Sequence, residues 1–259
     1  MTNIKFEDID FSKLSKLEDV CSTNDVYLFE NKIIKIFKKY KQEELKDLEK
    51  KIELLGEKSY FDFLNIPQEK IIKDNKLSGI ILPFINNSMI LNELLQRKGI
   101  VDSLSILKDA SIRLSRLHRD SDKILVGDMH FDNIIIDGKG NNNFIDVESY
   151  GIQSLKPSDI PSITYNYCTW MNYYICHSSN MDKISFFLAL FSSIFNKNII
   201  SVSENEYEIK SEQILILEKL KDVFLDLKYS YAEEPDMPYL YEVINDDDIK
   251  RYSYERDRI

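Results

Sequence analysis

Apolar residues in the first third of the chain come in short runs separated by polar turns, a pattern that predicts β-hairpins. Residues 26–37 hold two such runs, and residues 66–74 and 77–85 form a second pair. Between these pairs, apolar positions in residues 41–58 recur every three or four residues, which predicts one amphipathic helix. We therefore expect a small antiparallel sheet with a single helix.

One lysine interrupts the second of these runs. Lys35 lies between Ile34 and Ile36, and successive side chains of a strand point to opposite faces. Its amine should therefore point away from the face that the two isoleucines cover. Pro83 lies near the end of the run 77–85. Because proline cannot donate to a sheet ladder, we expect that strand to stop there or to run along an edge.

Helical periodicity dominates the rest of the chain. We predict helices at residues 91–98, 103–119, 186–195 and 211–229, and one further hairpin at 134–136 and 144–145. The predicted fold class is α+β, with a sheet-rich part at residues 1–86 and a larger, mostly helical part at 87–259. The tail after residue 229, rich in tyrosine and acid, either packs on the larger part or extends from it.

Composition and charge argue against some classes of partner. The chain has 259 residues, of which 43% are hydrophobic and 30% charged, and its net charge is -10. This charge disfavours nucleic acid and anionic membranes as partners, and a cationic substrate would suit it. The three cysteines (Cys21, Cys168 and Cys176) are odd in number and sparse, which predicts reduced thiols in the cytoplasm. No apolar signal core opens the sequence, and its longest near-apolar run is too short to span a bilayer.

The richest candidate chemistry surrounds the hairpin at 134–145. Asp128 and Asn133 come before its first strand, and Asp146 and Glu148 follow its second strand. If the strands pair, Asn133 and Asp146 lie at the same end of the hairpin. Two carboxylates and an amide there form a set of hard oxygen ligands that suits Mg²⁺ and the oxygens of phosphates. A loop Asp and Asn at this spacing can also simply cap a turn.

The wording of these segments resembles a known superfamily. Gly-Asp-x-His-x-x-Asn before the hairpin and Ile-Asp-x-Glu after it resemble the catalytic loop and metal strand of the protein-kinase-like superfamily. The closest wording is that of the aminoglycoside and choline phosphotransferases. The matching residues are Gly127, Asp128, His130, Asn133, Ile145, Asp146 and Glu148. Val126 departs from the histidine that is usual before this glycine.

The resemblance implies a bilobal protein-kinase-like fold that binds ATP and Mg²⁺ and transfers phosphate to a hydroxyl-bearing substrate. In it Asp128 would be the catalytic base, and Asn133 and Asp146 would hold the metal. Glu148 would reach a second metal or the substrate. His130 would support the loop by packing or by a hydrogen bond to its backbone.

The same resemblance assigns nucleotide contacts to the first 86 residues. Lys35 would bind the α- and β-phosphates of ATP, and a glutamate of helix 41–58 would pair with it. Glu44, Glu49 and Glu53 are the candidates, and Glu49 is favoured because it lies beside the apolar stripe of that helix. The backbone of three residues would meet adenine: Pro83, Phe84 and Ile85.

Three functions remain open at this point. A phosphotransferase acting on a small hydroxyl compound, such as an aminoglycoside, amino alcohol or sugar, fits the loop wording best. A protein Ser/Thr kinase is favoured by Asp182 and Ser185, which open an apolar helix as in protein kinases, where the acid braces the catalytic loop. A pseudokinase is favoured because no glycine precedes Gly56, so backbone groups near Ser22, Thr23 and Asn24 would have to cover the phosphates. Oligomeric state is not indicated.

Overall fold

The computed structural model describes residues 1–17, 24–38, 40–213, 216–230 and 235–256. Within these ranges the chain is α+β, with a six-stranded sheet, a three-stranded sheet and nine α-helices. The larger sheet is built from the first 83 residues, and most of the helices follow it. None of the described helices is both long and apolar enough to cross a lipid bilayer.

The larger sheet has the strand order β1-β5-β6-β4-β3-β2. Its strands are β1 (Thr2–Lys5), β2 (Ser15–Leu17), β3 (Asn24–Phe29), β4 (Lys32–Phe37), β5 (Glu69–Lys73) and β6 (Lys76–Pro83). The hairpins β3–β4 and β5–β6 confirm both predicted pairs, and β6 ends at Pro83 as its proline predicts. The expectation of a wholly antiparallel sheet is wrong, because β1 pairs in parallel with β5. The chain crosses from that edge to β2 on the opposite edge, a route that local patterning does not reveal.

The two faces of this sheet are covered by different segments. Helix α1 (Gln42–Gly56) packs its buried Leu48 and Ile52 on one face, together with Ile33 and Phe37 of β4. The opposite face is covered by apolar side chains of residues 4–14, and Ile34 of β4 lies there. Lys35 therefore lies on the α1 side of the sheet, as strand alternation predicts.

The second part of the chain is organised around one large hydrophobic core. Its helices are α2 (Leu91–Lys98), α3 (Leu104–His118), α4 (Ser162–Met171), α5 (Ser179–Phe195), α6 (Glu204–Gln213), α7 (Ile216–Tyr229), α8 (Leu240–Val243) and α9 (Asp246–Arg256). The smaller sheet consists of β7 (Met89–Ile90), β8 (Ile134–Ile136) and β9 (Asn142–Phe144). Strand β7 and helix α4 are new relative to the sequence analysis. The helix predicted at 211–229 is found as α7 over residues 216–229, with α6 before it, and Ile214 lies outside the described residues.

The C-terminal tail packs on the larger part, which settles the alternative left open by its composition. The hydroxyl group of Tyr239 and the Nδ1 of His118, at the end of α3, form a hydrogen bond of 2.8 Å. Lys108 of α3 lies 2.7 Å from Asp246 at the start of α9. Ile244, between α8 and α9, is fully buried in the main core.

Replacing Ile244 by alanine should therefore lower the free energy of unfolding by about 2–5 kcal/mol, because it leaves a cavity in a closed core. The matched control is Ile112→Ala in α3, where the side chain is 38% exposed and the expected loss is below about 1 kcal/mol. Urea unfolding of both variants measures the difference. Equal small losses would mean that the tail does not contribute to the core.

Candidate active site

The hairpin β8–β9 brings the first two candidate ligands together. Ile134 pairs with Phe144, and beyond them the N–H of Ile145 donates to the carbonyl oxygen of Asn133 at 3.0 Å. Asn133 and Asp146 therefore lie at the same end of the hairpin, as the pairing pattern predicts.

Lys35 reaches this end of the hairpin from the other part of the chain. Its Nζ lies 2.8 Å from Oε1 of Glu148 and also donates to the carboxylate of Asp146. The side chain of Lys35 is 12% exposed and that of Glu148 is 4% exposed. Burial lowers the pKa of Lys35, but the charges of Glu148 and Asp146 outweigh it, and the net shift is upward. The ammonium form therefore persists in the closed site.

The predicted ion pair between Glu49 and Lys35 is wrong. Glu49 lies 2.8 Å from the Nζ of Lys70 in β5, and Glu53 lies 2.7 Å from the same atom. These two carboxylates anchor α1 to the sheet. Glu148, which is buried four residues after the end of β9, holds the lysine in place of an α1 glutamate. The rotation of α1 about its axis decides this pairing, and helical spacing alone does not specify that rotation.

Asp128 is held from two sides. Asn133 donates its amide N–H to the backbone oxygen of Asp128 at 3.0 Å and to its Oδ2 at 3.2 Å. The Nε2 of His130 lies 3.2 Å from the same Oδ2. His130 therefore contacts the carboxylate of Asp128, whereas the sequence predicted that it would support the loop by packing or by a hydrogen bond to the backbone. Because Asn133 uses its amide nitrogen as donor, its side-chain oxygen remains available to a cation.

The carboxylates of this cluster change the pKa of His130. Burial lowers its pKa, but the hydrogen bond to Asp128 and the charges of Asp128, Asp132 and Asp146 outweigh it, so the pKa is raised. The two carboxylates Asp128 and Asp146 therefore act on one imidazole. Together with the ion pair between Lys35 and Asp146, this contact shows that four polar residues lie in one cluster: Lys35, Asp128, Asn133 and Asp146.

Asp182 of α5 fixes the loop that carries Asp128. Its two carboxylate oxygens accept the backbone N–H groups of Val126 at 2.7 Å and of Gly127 at 2.8 Å. The Nε2 of His118 lies 2.9 Å from the same carboxylate, so His118 helps to hold Asp182 in place. The bracing role of Asp182 agrees with the sequence pattern.

Asp182 is not the N-terminal cap of α5. The cap of α5 is Ser178, whose Oγ accepts the N–H of Met181 at 3.0 Å. Asp182 therefore lies inside the first turn, where its carboxylate is free to turn toward the loop. Ser185 donates to the carbonyl of Met181 at 2.8 Å.

Asp146 has an unusual backbone conformation. Its φ of 57° and ψ of 31° are left-handed, a region that side chains other than glycine seldom adopt. The carbonyl of Asp146 accepts the N–H of Ser149 at 2.9 Å and its Oγ at 2.7 Å, which stabilises the turn. Such backbone conformations cluster at functional sites. Here the turn lets both Asp146 and Glu148 face Lys35.

The segment predicted to meet adenine is partly occupied by the protein's own hydrogen bonds. The N–H of Phe84 donates to the carbonyl of Asn31 at 2.9 Å. The carbonyl of Pro83 accepts the side chain of Asn65 at 3.3 Å. A ligand at this segment would therefore use the N–H of Ile85 and the remaining lone pairs of the carbonyls. Phe84 offers no donor to it.

Two charged residues that sequence reasoning missed lie near the cluster. Lys51 of α1 is buried, and its Nζ lies 3.3 Å from the Oγ of Ser158. Burial lowers the pKa of Lys51. Burial and the charge of Asp128 raise the pKa of Asp159. Neither residue belongs to a motif, and the only signal for Lys51 was a lysine placed next to the apolar stripe of α1.

The segment containing Ser158 and Asp159 packs closely on the loop that carries Asp128. Gly127 has a φ of 72°, and a Cβ atom there would lie 2.2 Å from the Cβ of Pro157. Only glycine allows both this backbone conformation and this approach. Steric contact with Pro157 and the backbone conformation therefore require glycine at position 127, independently of any resemblance.

The residues of the site fit a Mg²⁺ ion only as a partial ligand set. No group of three or more His, Cys, Asp or Glu side chains among the described residues is arranged to hold a metal by itself. The side-chain oxygen of Asn133 and the carboxylate of Asp146, 39% exposed, are two hard oxygen ligands. Mg²⁺ is commonly bound in this way, with one or two carboxylates and the oxygens of a phosphorylated substrate.

Comparison with known proteins adds no family to this geometry: no protein-family model matches the chain, and no curated protein matches it.

The role of Glu148 can be tested through stability. Glu148→Ala should lower the free energy of unfolding by about 2–4 kcal/mol, because it removes one partner of a buried ion pair. Glu49→Ala is the matched control and should cost less than about 1 kcal/mol, since its pair with Lys70 is partly exposed. Chemical denaturation measures both. A larger loss for Glu49→Ala would contradict the assignment.

The contact between His130 and Asp128 predicts a pH dependence. The imidazole should titrate above its ordinary value of 6.5, so the stability from this contact is full below that value and is lost as the pH rises through the raised pKa. Asp128→Asn should move the titration of His130 to lower pH. NMR of the histidine ring protons measures it, and His177, whose pKa burial lowers, is an internal reference. An unchanged His130 midpoint would contradict the contact.

Proposed function

We propose that this protein is an ATP-dependent phosphotransferase with a bilobal protein-kinase-like fold, in which residues 1–86 and 87–259 form the two lobes. The acceptor is a hydroxyl group on a small molecule such as an aminoglycoside, amino alcohol or sugar. The observation that carries the proposal is the contact of Lys35 with Asp146 and Glu148. It joins a strand of the larger sheet to the end of the hairpin that also holds Asp128 and Asn133.

Lys35 is suited to bind the phosphates of ATP. Its raised pKa keeps it charged, and Glu148 holds its amine in one direction. An incoming triphosphate would compete with the exposed carboxylate of Asp146 for this amine, while the buried Glu148 stays in place. Asn133 and Asp146 would then hold Mg²⁺, which supplies charge stabilisation for the phosphate oxygens.

Asp128 is suited to receive the proton of the acceptor. The acceptor oxygen forms a bond to the γ-phosphorus, the bond from that phosphorus to the bridging oxygen breaks, and ADP leaves. The hydroxyl proton passes to the carboxylate of Asp128. Asn133 and His130 orient this carboxylate through the hydrogen bonds described above. Neutral His130 would leave Asp128 a better acceptor than the imidazolium does.

A protein Ser/Thr kinase is the second candidate. It is favoured by the carboxylate of Asp182, which accepts the N–H groups of Val126 and Gly127 and so braces the catalytic loop from an apolar helix. This is the arrangement that the resemblance assigns to protein kinases. The sequence motif of the loop, Gly-Asp-x-His-x-x-Asn, still favours a small acceptor.

Asp128→Asn tests the base. The variant should lose phosphate transfer by at least about 100-fold, the usual contribution of general base catalysis, and should keep its affinity for ATP. A radiolabelled-ATP assay against a mixed panel of proteins and small hydroxyl compounds measures transfer and separates the two candidate functions. Asp62→Asn, an exposed carboxylate elsewhere, is the control. Full transfer by the Asp128 variant would remove the role assigned to this residue.

Asp146→Ala tests the metal ligand. It should abolish the Mg²⁺-dependent part of ATP binding, because one of two protein ligands is lost. Calorimetry with and without Mg²⁺ measures this part directly. Unchanged Mg²⁺-dependent binding would contradict the assignment. Tight ATP binding by the native protein without transfer or hydrolysis would instead favour the pseudokinase alternative.

A further inference from the structure

A chain of hydrogen bonds runs from the C-terminal tail to the loop that carries Asp128. Its first link joins the hydroxyl group of Tyr239 to the Nδ1 of His118 at 2.8 Å. Its second link joins the Nε2 of His118 to the carboxylate of Asp182 at 2.9 Å. That carboxylate accepts the N–H groups of the two residues that precede Asp128. The tail, α3, α5 and the loop are therefore connected by one hydrogen-bond network.

The partners decide the direction of each hydrogen bond in this network. The side chains of His118 and Asp182 are each 2% exposed. Both oxygens of Asp182 already accept backbone N–H groups, as an ionised carboxylate does, so the Nε2 of His118 is the donor to them. Burial raises the pKa of Tyr239 to about 12, so its hydroxyl group keeps its proton. In a neutral ring of His118, the Nδ1 is then the acceptor of that proton, and one tautomer matches both partners.

The segment that carries Tyr239 is fastened to the start of α5. Asn180 donates its side-chain N–H to the carbonyl oxygen of Pro235 at 2.8 Å, and its side-chain oxygen accepts the N–H of Met237 at 2.9 Å. Asn180 precedes Asp182 by two residues. The first turn of α5 therefore both holds the tail and carries the carboxylate that fixes the loop.

We propose that Tyr239 is a positioning residue for phosphate transfer, which acts on the loop of Asp128 through His118 and Asp182. Its hydroxyl group fixes the ring of His118, and that ring holds the carboxylate of Asp182 against the loop. Without this hydroxyl group the ring is free to take its other tautomer, and Asp182 then loses one of its three donors. The proposal rests on the proposed function, because the position of the loop affects transfer only if Asp128 is the base.

Tyr239→Phe isolates the contribution of the hydroxyl group. The ring contacts of Tyr239 remain in this variant: the ring stacks on Tyr241 with centroids 5.6 Å apart, and the Nζ of Lys183 lies 5.3 Å from its centroid. The matched control is Tyr241→Phe, which removes a hydroxyl group two residues further along the same segment. That hydroxyl group accepts a hydrogen bond from Arg119 at 2.9 Å, outside the network.

NMR measures the network without any transfer assay. The ring nitrogens of His118 should show a proton on Nε2 in the native protein and a mixture of tautomers in Tyr239→Phe. The amide protons of Val126 and Gly127 should exchange with solvent about three- to tenfold faster in this variant, the equivalent of one hydrogen bond. The amide of Phe144, which donates to a backbone carbonyl at 2.7 Å in the same core, should exchange at its native rate.

Steady-state kinetics measures the effect on transfer. Tyr239→Phe should lower kcat by about three- to tenfold and keep the KM for ATP within about twofold, because the phosphates are assigned to Lys35. Tyr241→Phe should leave kcat, KM and amide exchange unchanged. His118→Gln, whose amide can still donate to Asp182, should retain more of kcat than His118→Leu. Circular dichroism confirms folding of each variant.

Native tautomer, amide exchange and kcat in Tyr239→Phe would overturn the proposal. Equal acceleration of exchange at Phe144 and at Gly127 would also overturn it, because the hydroxyl group would then only stabilise the whole fold. Faster exchange in the loop with an unchanged kcat would remove the positioning role and leave the proposed function intact. If the native protein transfers no phosphate, the proposed function fails and the positioning role fails with it, while the exchange rates still decide whether the tail holds the loop.

Discussion

The contact on which the site depends is the ion pair network of Lys35 with Asp146 and Glu148. It joins residues separated by 111 and 113 positions, and it crosses between the larger sheet and the hairpin β8–β9. A buried lysine needs opposite charge close by, since an unpaired charge in a closed site is very unfavourable. The two carboxylates meet this requirement in different ways, because Glu148 is buried and Asp146 is half-exposed. Glu148 can hold the lysine, while Asp146 is exposed enough to contact a ligand instead.

A second constraint fixes the loop that faces this network. The carboxylate of Asp182 accepts two consecutive backbone N–H groups, and hydrogen bonds to a buried charged group are among the strongest in proteins. It thereby fixes the backbone of the two residues that precede Asp128. From the other side, Pro157 packs against Gly127 so closely that no side chain fits there. The loop is held between α5 and the segment 151–157.

Some of this could be predicted because it follows from neighbours in sequence. The hairpin around residues 137–141 brings Asn133 and Asp146 to one end by strand pairing alone, and strand alternation sends Lys35 to the face opposite Ile34. Glu49 shows where such reasoning stops. Its position beside the apolar stripe of α1 is correct, but the helix is rotated so that Glu49 meets Lys70. A spacing of 3.6 residues specifies a face of a helix and does not specify what lies opposite that face.

The sequence by itself determined the local elements, the α+β class and the set of polar residues that could carry chemistry. Tertiary structure alone decided that Glu148 and not Glu49 holds Lys35, and that β1 lies parallel to β5. The reason is physical. Periodicity and turn chemistry act over a few residues, whereas ion pairs and pockets depend on the distances between elements far apart in the chain, which packing of the whole core sets.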